Sequence, residues 1–212
     1  MPGQELYLVR HGESVSNVED RLCAVPPGPG LTDLGRHQAE VAATTLLAAA
    51  RPHVQVVSSP LLRAWQTADA LARKLGRAPT IETELRETAF GAWEGRTASD
   101  LRRHGAYLAW AQDPEHQAPR GVERPSRAGA RALAALTALA GGMTDGTLVA
   151  FSHQHVLLGF VRLCGVLAQE SWFPNAAVVH AVWQGGGWQV VSVDRSASGA
   201  GTIYPEVSAA EA

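Results

Sequence analysis

Three short apolar segments recur along the chain, and each is followed at once by polar residues. They are residues 6–9, 54–57 and 148–151. Apolar runs of this length, bounded by polar or turn-forming residues, are typical of buried strands. Residues 80–82 are a further candidate for a short strand. The pattern therefore predicts a sheet whose strands are widely separated in the sequence.

The segments between these strands carry apolar residues at helical spacing. Thr32 is a predicted N-cap, and the helix after it has an apolar face made of Leu34, Ala39, Val41, Ala42, Leu46 and Leu47. Ser59 and Pro60 are typical of the cap and first position of a second helix, which we expect to stop at Gly76. A weaker helical pattern covers residues 98–112, and an Ala- and Leu-rich helix is predicted over residues 127–139. Residues 177–194 are predicted to form a closing β-hairpin with the sequence GGG at its turn.

The alternation of strands and helices predicts an α/β protein. We expect a three-layer αβα sandwich, with a mostly parallel central sheet and helices on both of its faces. A chain of 212 residues is long enough for one sizeable domain, so we assign residues 1–212 to a single domain. The small and polar residues from about 200 to 212 are expected to form a loose tail.

The composition narrows the classes of function. Hydrophobic residues make up 46% of the chain, charged residues make up 18%, and the formal net charge is -2. This charge provides no basic field for nucleic acid, so any anion-binding site must be local. We also expect no membrane partner, because no apolar run approaches the roughly 20 residues that cross a bilayer. Cys23 and Cys164 are far apart in the sequence, which favours a reducing compartment, and we expect the cytoplasm.

The candidate chemistry lies directly after the predicted strands. The polar residues there are Arg10 and His11, then Ser58, Ser59 and nearby Arg63, and then Ser152 and His153. Because the carboxyl ends of parallel strands meet at one sheet edge, we expect two histidines and two arginines to converge. Guanidinium groups suit the oxygens of a phosphoryl group, and a neutral imidazole can attack its phosphorus. Gly12 is expected to let the backbone approach the anion closely.

A carboxylic acid is also required by this chemistry, because the departing alkoxide needs a proton. A carboxyl group can donate one if burial or neighbouring charge keeps it protonated near neutral pH. The candidates are Glu87 and Glu94, both in the aromatic stretch ELRETAFGAWEG.

Four motifs together resemble one known family. LVRHGES with Asn17, SSPLLRAWQTA, LRETAFGAWEG and FSHQ occur in order from Leu6 to about His155. They are similar to the motifs of the histidine phosphatase superfamily, in the branch that includes cofactor-dependent phosphoglycerate mutases and fructose-2,6-bisphosphatases. The four motifs together are far more specific than an isolated RHG.

The resemblance implies roles for individual residues. His11 would be the nucleophile, forming a phosphohistidine that water hydrolyses. Arg10, Arg63 and His153 would bind the phosphoryl oxygens, and Glu87 would be the proton donor. The resemblance also implies a site position for Asn17, on the first loop. It implies no metal and no cofactor.

Three features depart from the family pattern. Gln154 replaces the Gly that usually follows the second catalytic histidine, and its side chain would narrow the pocket or add a hydrogen bond to the substrate site. The segment after the proton donor lacks the insertion typical of the mutases, which favours a phosphatase. GVERPSRAGAR only loosely matches the family's Gly-Glu stretch, so the role of Glu123 is left open.

The sequence predicts a phosphomonoesterase acting on a small phosphorylated metabolite. Two alternatives remain: a phosphoglycerate mutase-type phosphotransferase, and a family member that binds a phosphorylated ligand without catalysis. His155 is given no role, because its pairing with His153 as metal ligands lacks a third ligand at suitable spacing. The sequence does not define the substrate, and it leaves a homodimer open.

Overall fold

A mixed sheet forms the centre of the protein. The computed structural model describes residues 3–50, 53–143, 146–165 and 172–198, and the predicted tail at 200–212 lies outside them. The described strands are β1 (Glu5–Arg10), β2 (Val54–Ser58), β3 (Thr80–Ile81), β4 (Thr147–Ser152), β5 (Val178–Gln184) and β6 (Gly187–Asp194). Their order is β3-β2-β4-β1-β5-β6. The first four strands in this order are mutually parallel, and the hairpin of β5 and β6 adds an antiparallel edge next to β1.

Helices cover both faces of this sheet. In the described residues they are α1 (Val15–Val18), α2 (Asp33–Ala49), α3 (Leu62–Lys74), α4 (Ala98–Leu101), α5 (Gly105–Gln112), α6 (Pro125–Gly141) and α7 (Gln154–Leu163). Helices α2 and α3 pack on one face, and α6 and α7 pack on the other. The predicted three-layer αβα sandwich with a mostly parallel sheet is confirmed. None of the helices described is long and apolar enough to span a bilayer.

The alternation of side chains along β1 supplies both halves of the core. Leu6 and Leu8 pack with residues of α6 and α7, whereas Tyr7 and Val9 pack with residues of α2 and α3. Successive side chains of a strand point to opposite faces of the sheet, so a uniformly apolar strand requires helices on both sides. A smaller aromatic cluster forms beside this sandwich from Phe90, Ala98, Leu101, Tyr107 and Trp110.

The start of α3 differs from the prediction. The helix begins at Leu62 and not at Pro60, and its N-cap is Leu61. The hydroxyl of Ser59 accepts a hydrogen bond from the Leu61 N–H at 3.2 Å and also contacts His153 at 2.7 Å. Ser59 therefore contacts a distant segment of the chain, and two further residues, Pro60 and Leu61, precede the helix. The predicted N-cap of α2 is confirmed, since Thr32 Oγ1 accepts from the Gly35 N–H at 3.0 Å.

The region predicted as one helix over residues 98–112 is divided into α4 and α5. The intervening turn allows Leu101, Tyr107 and Trp110 to be buried in the same aromatic cluster. This cluster borders the cavity described below, so the division of the helix shapes one wall of the site.

Candidate active site

Polar residues from three parallel strands meet at one edge of the sheet. The His11 N–H donates to the Ser152 carbonyl oxygen at 3.0 Å, and the Ser59 N–H donates to the Phe151 carbonyl oxygen at 2.9 Å. These bonds continue the pairing of β1, β2 and β4 beyond their ends. The imidazole rings of His11 and His153 consequently lie with their centroids 5.2 Å apart. A cavity of about 550 Å³ opens over this edge, and His11 is part of its lining.

The hydrogen bonds of His11 define its tautomer. Its Nδ1 lies 2.7 Å from the Gly12 carbonyl oxygen, which can only accept. Its Nε2 receives the Nε–H of Arg63 at 2.9 Å, and a guanidinium group can only donate. Nδ1 therefore carries the hydrogen, and Nε2 presents a lone pair toward Arg63. Burial, followed by the positive charges of Arg63 and Arg10, holds the pKa of His11 well below its usual value, so the ring is neutral at pH 7.

Arg10 is anchored at the end of β1. Its Nη1 donates to the Phe173 carbonyl oxygen and, at 3.4 Å, to Gln154 Oε1. Its guanidinium carbon lies 4.6 Å from the centre of the Trp172 ring, in cation–π geometry. Burial lowers the pKa of Arg10 to about 10, so the group remains positive at neutral pH. These contacts hold a cation in place without neutralising it.

Arg63 and His153 complete the basic side of the site. Arg63 lies in the first turn of α3, and its Nη2 donates to the Cys23 carbonyl oxygen at 2.8 Å. His153 is completely buried, and its Nε2 lies 2.7 Å from Ser59 Oγ. Ser59 Oγ, which accepts from the Leu61 N–H, is able to donate its hydroxyl hydrogen to Nε2, and in that arrangement neutral His153 carries its hydrogen on Nδ1. Burial and the charge of Arg63 keep the pKa of His153 well below its usual value.

Three buried nitrogens of this group have no hydrogen-bond partner in the part of the chain that the structure describes. They are Arg10 Nε, Arg63 Nη1 and His153 Nδ1. Buried donors are nearly always paired, and an unpaired one costs about 1–3 kcal/mol. Three such donors around one imidazole are the expected signature of a site whose natural occupant is an anion with several oxygens.

Glu87 lies on the same cavity and is buried. Its Oε1 accepts from the Thr88 N–H at 2.9 Å and lies 3.6 Å from His155 Nδ1. Burial raises the pKa of Glu87, but His155, the Thr88 N–H and Arg63 together lower it by a larger amount. The net pKa of Glu87 therefore lies below the ordinary value. The condition set out for the proton donor, that burial or neighbouring charge keeps the carboxyl group protonated near neutral pH, is therefore not met by these neighbours alone.

The second carboxylate candidate lies elsewhere. Glu94 accepts hydrogen bonds from the Ala24 and Val25 N–H groups, at 2.9 Å and 3.2 Å. It is not among the cavity-lining residues. Glu94 therefore fixes the loop that begins near Cys23, and of the two candidate carboxylates only Glu87 lines the cavity.

The family is identified by comparison of the whole chain with known proteins. A family model described as histidine phosphatase superfamily (branch 1) matches residues 6–195. This chain belongs to that superfamily.

Relatives within the superfamily include named phosphatases. A glucosyl-3-phosphoglycerate phosphatase from Mycolicibacterium vanbaalenii is 39% identical over 144 residues, which are 67% of this chain and 62% of the relative. The chain thus spans less than two thirds of that relative's length. An adenosylcobalamin/alpha-ribazole phosphatase from Escherichia coli is 32% identical over 79% of this chain and 82% of its own length. The structure of a mycobacterial glucosyl-3-phosphoglycerate phosphatase in complex with VO3 has a TM-score of 0.76 at 28% identity, covering 88% of this chain and 96% of that chain.

Gln154 is a departure of this chain from the family pattern, and the structure shows what its side chain contacts. Its Oε1 accepts from the Phe173 N–H at 3.0 Å and from Arg10 Nη1 at 3.4 Å. Gln154 also lines the cavity. It joins the segment before β5 to Arg10, which a Gly at this position cannot do.

Asn17 lies at the cavity, whereas Gly12 lies against helix α2. Asn17 lines the cavity, and its Oδ1 accepts from the Ser14 N–H and from Asn175 Nδ2. Its Nδ2 donates no hydrogen bond to a described residue.

The expectation that Gly12 lies against the anion is wrong. The Gly12 N–H donates to Thr67 Oγ1 at 3.0 Å, and a Cβ at this position would collide with the Gly35 carbonyl oxygen. Gly12 is required for close approach between the loop and α2.

His155 lines the cavity, although no role is predicted for it from the sequence. It lies on the first turn of α7, beside Glu87, and its ring packs 5.4 Å from Trp110. In the sequence, His155 and Arg162 are titratable residues on a largely apolar helix that follows the FSHQ motif. Trp172, which is 59% exposed, and Asn175 also line the cavity. These two residues precede β5, where no family motif was recognised.

Glu123, whose role the sequence left open, supports the segment that carries Glu87. Its carboxylate forms a bidentate pair with Arg131, with Oε1 and Oε2 each 3.0 Å from a guanidinium nitrogen. It also accepts from the Ala89 N–H at 3.3 Å. Arg131 in turn donates to the Glu84 and Glu87 carbonyl oxygens. Glu123 is not among the residues that line the cavity, and together with Arg131 it stabilises the segment that carries Glu87.

Proposed function

We propose that the protein is a phosphomonoesterase that hydrolyses a small phosphorylated metabolite through a covalent phosphohistidine on His11. The observation that carries the proposal is the set of unpartnered buried nitrogens on Arg10, Arg63 and His153, gathered around a neutral imidazole. A phosphoryl group supplies acceptors for all three donors. The neutral imidazole supplies the lone pair that attacks phosphorus.

The first half of the reaction transfers the phosphoryl group to the enzyme. Arg10, Arg63 and His153 donate to its oxygens and stabilise their charge as the P–O bond lengthens. Arg63 moves its Nε–H from His11 Nε2 to a phosphoryl oxygen, which frees the lone pair. A bond then forms between Nε2 and phosphorus as the bond to the ester oxygen breaks. Glu87 gives its proton to the departing oxygen, and the alcohol leaves.

The second half regenerates the enzyme. Glu87, now a carboxylate, takes a proton from a water molecule, and the water oxygen attacks phosphorus. The Nε2–P bond breaks, inorganic phosphate leaves, and His11 returns to its neutral form with Glu87 protonated. Each proton and each bond is accounted for without a metal or a cofactor.

The charge of Glu87 must change when substrate binds. In the structure its pKa is held below the ordinary value by His155, the Thr88 N–H and Arg63, against the effect of burial. A phosphoryl dianion brings like charge beside the carboxylate and engages Arg63, and both effects raise the pKa of Glu87. Substrate binding is therefore expected to be accompanied by protonation of Glu87.

The names of relatives support a small phosphorylated substrate. One relative is called a glucosyl-3-phosphoglycerate phosphatase and another an adenosylcobalamin/alpha-ribazole phosphatase. The cavity of about 550 Å³ is of the size that holds one such molecule. We extend the same proposal to the compartment: two free cysteines among the described residues fit the reducing cytoplasm.

A panel of phosphorylated metabolites, assayed for release of inorganic phosphate, tests the proposal. It includes sugar phosphates, glucosyl-3-phosphoglycerate, alpha-ribazole phosphate and nucleotides. We expect rapid hydrolysis of at least one ester and no need for added metal. A parallel reaction with 3-phosphoglycerate and 2,3-bisphosphoglycerate detects mutase activity. Formation of 2-phosphoglycerate without net phosphate release would contradict the hydrolase assignment, and inactivity on the entire panel would favour a binding protein.

A further inference from the structure

A histidine for which the proposed mechanism has no use lies beside the proton donor. His155 Nδ1 is 3.6 Å from Glu87 Oε1 and 3.3 Å from Thr88 Oγ1. The two side chains are 16% and 7% exposed, for His155 and Glu87 respectively. The pair is thus shielded from bulk water and open to the cavity.

The imidazole of His155 is held in one orientation by aromatic neighbours. Its ring centroid lies 5.4 Å from that of Trp110 and 6.0 Å from that of Phe90, which meets it edge-on. Trp110 and Phe90 are themselves buried in the aromatic cluster beside the sheet. Rotation of the ring would require displacement of packed side chains, so Nδ1 stays directed at Thr88 and Glu87.

The carboxyl group of Glu87 has two distinct oxygens. Oε1 accepts from the Thr88 N–H and faces His155. Oε2 accepts no hydrogen bond from a described residue, and it is not fully buried. One oxygen is thus fixed to the protein, and the other remains for the substrate.

We propose that His155 is a positioning residue that holds Glu87 Oε1, so that Oε2 is presented to the leaving-group oxygen. This inference rests on the proposed hydrolase function and specifies how its acid is oriented. The charged groups that face the pair are Arg63 and Arg10 across the cavity, while Thr88 is the neutral partner on the same segment. Neither arginine donates a hydrogen bond to Glu87, so the imidazole and Thr88 alone define the carboxyl orientation among the described residues.

The test is a comparison of leaving groups. In His155→Ala we expect kcat/KM for an alkyl phosphate to fall roughly 10- to 100-fold, because a misplaced acid protonates the alcohol poorly. The same variant should keep kcat/KM for p-nitrophenyl phosphate within about 2-fold of the wild type, since that leaving group hardly needs a proton. The comparison of the two esters is made in kcat/KM, because this ratio reports phosphoryl transfer to His11 and not the later hydrolysis step, in which Glu87 acts on water for both esters.

Two further variants separate positioning from general structure. His155→Asn places an amide N–H near the position of Nδ1 and should recover most of the lost alkyl-phosphate activity. His180→Ala removes another imidazole beside a carboxylate, 3.9 Å from Glu5, near the far end of β1, and should leave the ratio of the two activities unchanged. Circular dichroism and thermal melting establish that each variant is folded.

The outcomes distinguish this inference from the function on which it rests. If the wild type hydrolyses no phosphate ester, the proposed function fails. If the wild type is active and His155→Ala loses both activities equally, or neither, the positioning role is wrong. Loss of alkyl-phosphate hydrolysis that His155→Asn does not recover would also overturn it.

Discussion

Replacement of Arg131 by Met tests how the segment that carries Glu87 is held in place. Arg131 pairs with both oxygens of Glu123 and donates to the main-chain carbonyls of Glu84 and Glu87. The two side chains of the ion pair are only 10% and 11% exposed. One guanidinium group therefore connects α6, the Glu123 loop and the segment that carries Glu87.

The expected loss of stability follows from what the substitution leaves behind. Arg131→Met leaves the nearly buried Glu123 carboxylate without its cationic partner, and it removes the hydrogen-bond donor to two main-chain carbonyl groups. Removal of one partner from a buried ion pair costs about 3–5 kcal/mol. Because the pair keeps some contact with solvent, we expect about 3 kcal/mol in the free energy of unfolding. For a domain of this size, that corresponds to a fall in Tm of about 6–12 °C.

The assay is thermal or urea unfolding together with steady-state kinetics. Arg73→Met is the matched control, because Arg73 also bridges two carboxylates, Glu40 and Asp69, but is 63% exposed. Loss of a surface pair costs about 1 kcal/mol or less. We also expect Arg131→Met to lower kcat/KM for an alkyl phosphate more than for p-nitrophenyl phosphate. Equal changes in Tm for the two variants would refute the assignment of Arg131 and Glu123 as the support of Glu87.

Two other predictions concern the buried histidines and the first loop. The pKa values of His11 and His153 are depressed in the folded protein, so between pH 6.5 and those values the unfolded chain binds protons that the folded chain does not. The free energy of unfolding should fall by about 1.4 kcal/mol per pH unit for each histidine as the pH drops through this window. Urea titrations at several pH values measure this fall. A free energy of unfolding that does not change with pH in this range would contradict the assignment of neutral rings. Gly12→Ala should destabilise the fold by about 2 kcal/mol or more, because its Cβ would meet the Gly35 carbonyl oxygen, whereas Gly105→Ala, with open space at its Cβ, should be neutral or slightly stabilising. Equal melting temperatures for these two variants would argue against the tight contact at Gly12.

The sheet and the basic residues of the site were predictable, because the pattern of apolar strands and the topology of a parallel sheet lead to the same arrangement. Apolar strands that end in Arg10, Ser58 and Ser152 must deliver the residues after them to one edge, whatever the intervening helices do. Uniformly apolar β1 and β4 likewise require helices on both faces. These inferences depend on pattern and chain connectivity, which the sequence contains.

The remaining features depend on contacts between distant segments. Ser59 looked like a helix cap, but its hydroxyl contacts His153, which is 94 residues away. Gly12 was expected against the anion, yet the requirement for glycine comes from the backbone of α2. The charge of Glu87 is decided by His155, Thr88 and Arg63 as well as by burial. No local pattern reveals which of these neighbours lies close enough to matter.

Trapping of a phosphoenzyme is the most direct test of the central claim that His11 is the nucleophile. The enzyme is mixed with a labelled phosphomonoester, quenched in alkali within the first turnover, and digested for peptide mapping. We expect one phosphoryl group on the peptide that contains His11, stable in alkali and labile in acid, which forms and decays at least as fast as kcat. The label should be absent in His11→Ala, whose turnover should fall roughly a thousandfold or more. Full turnover by His11→Ala, or a label on another residue, would contradict the claim.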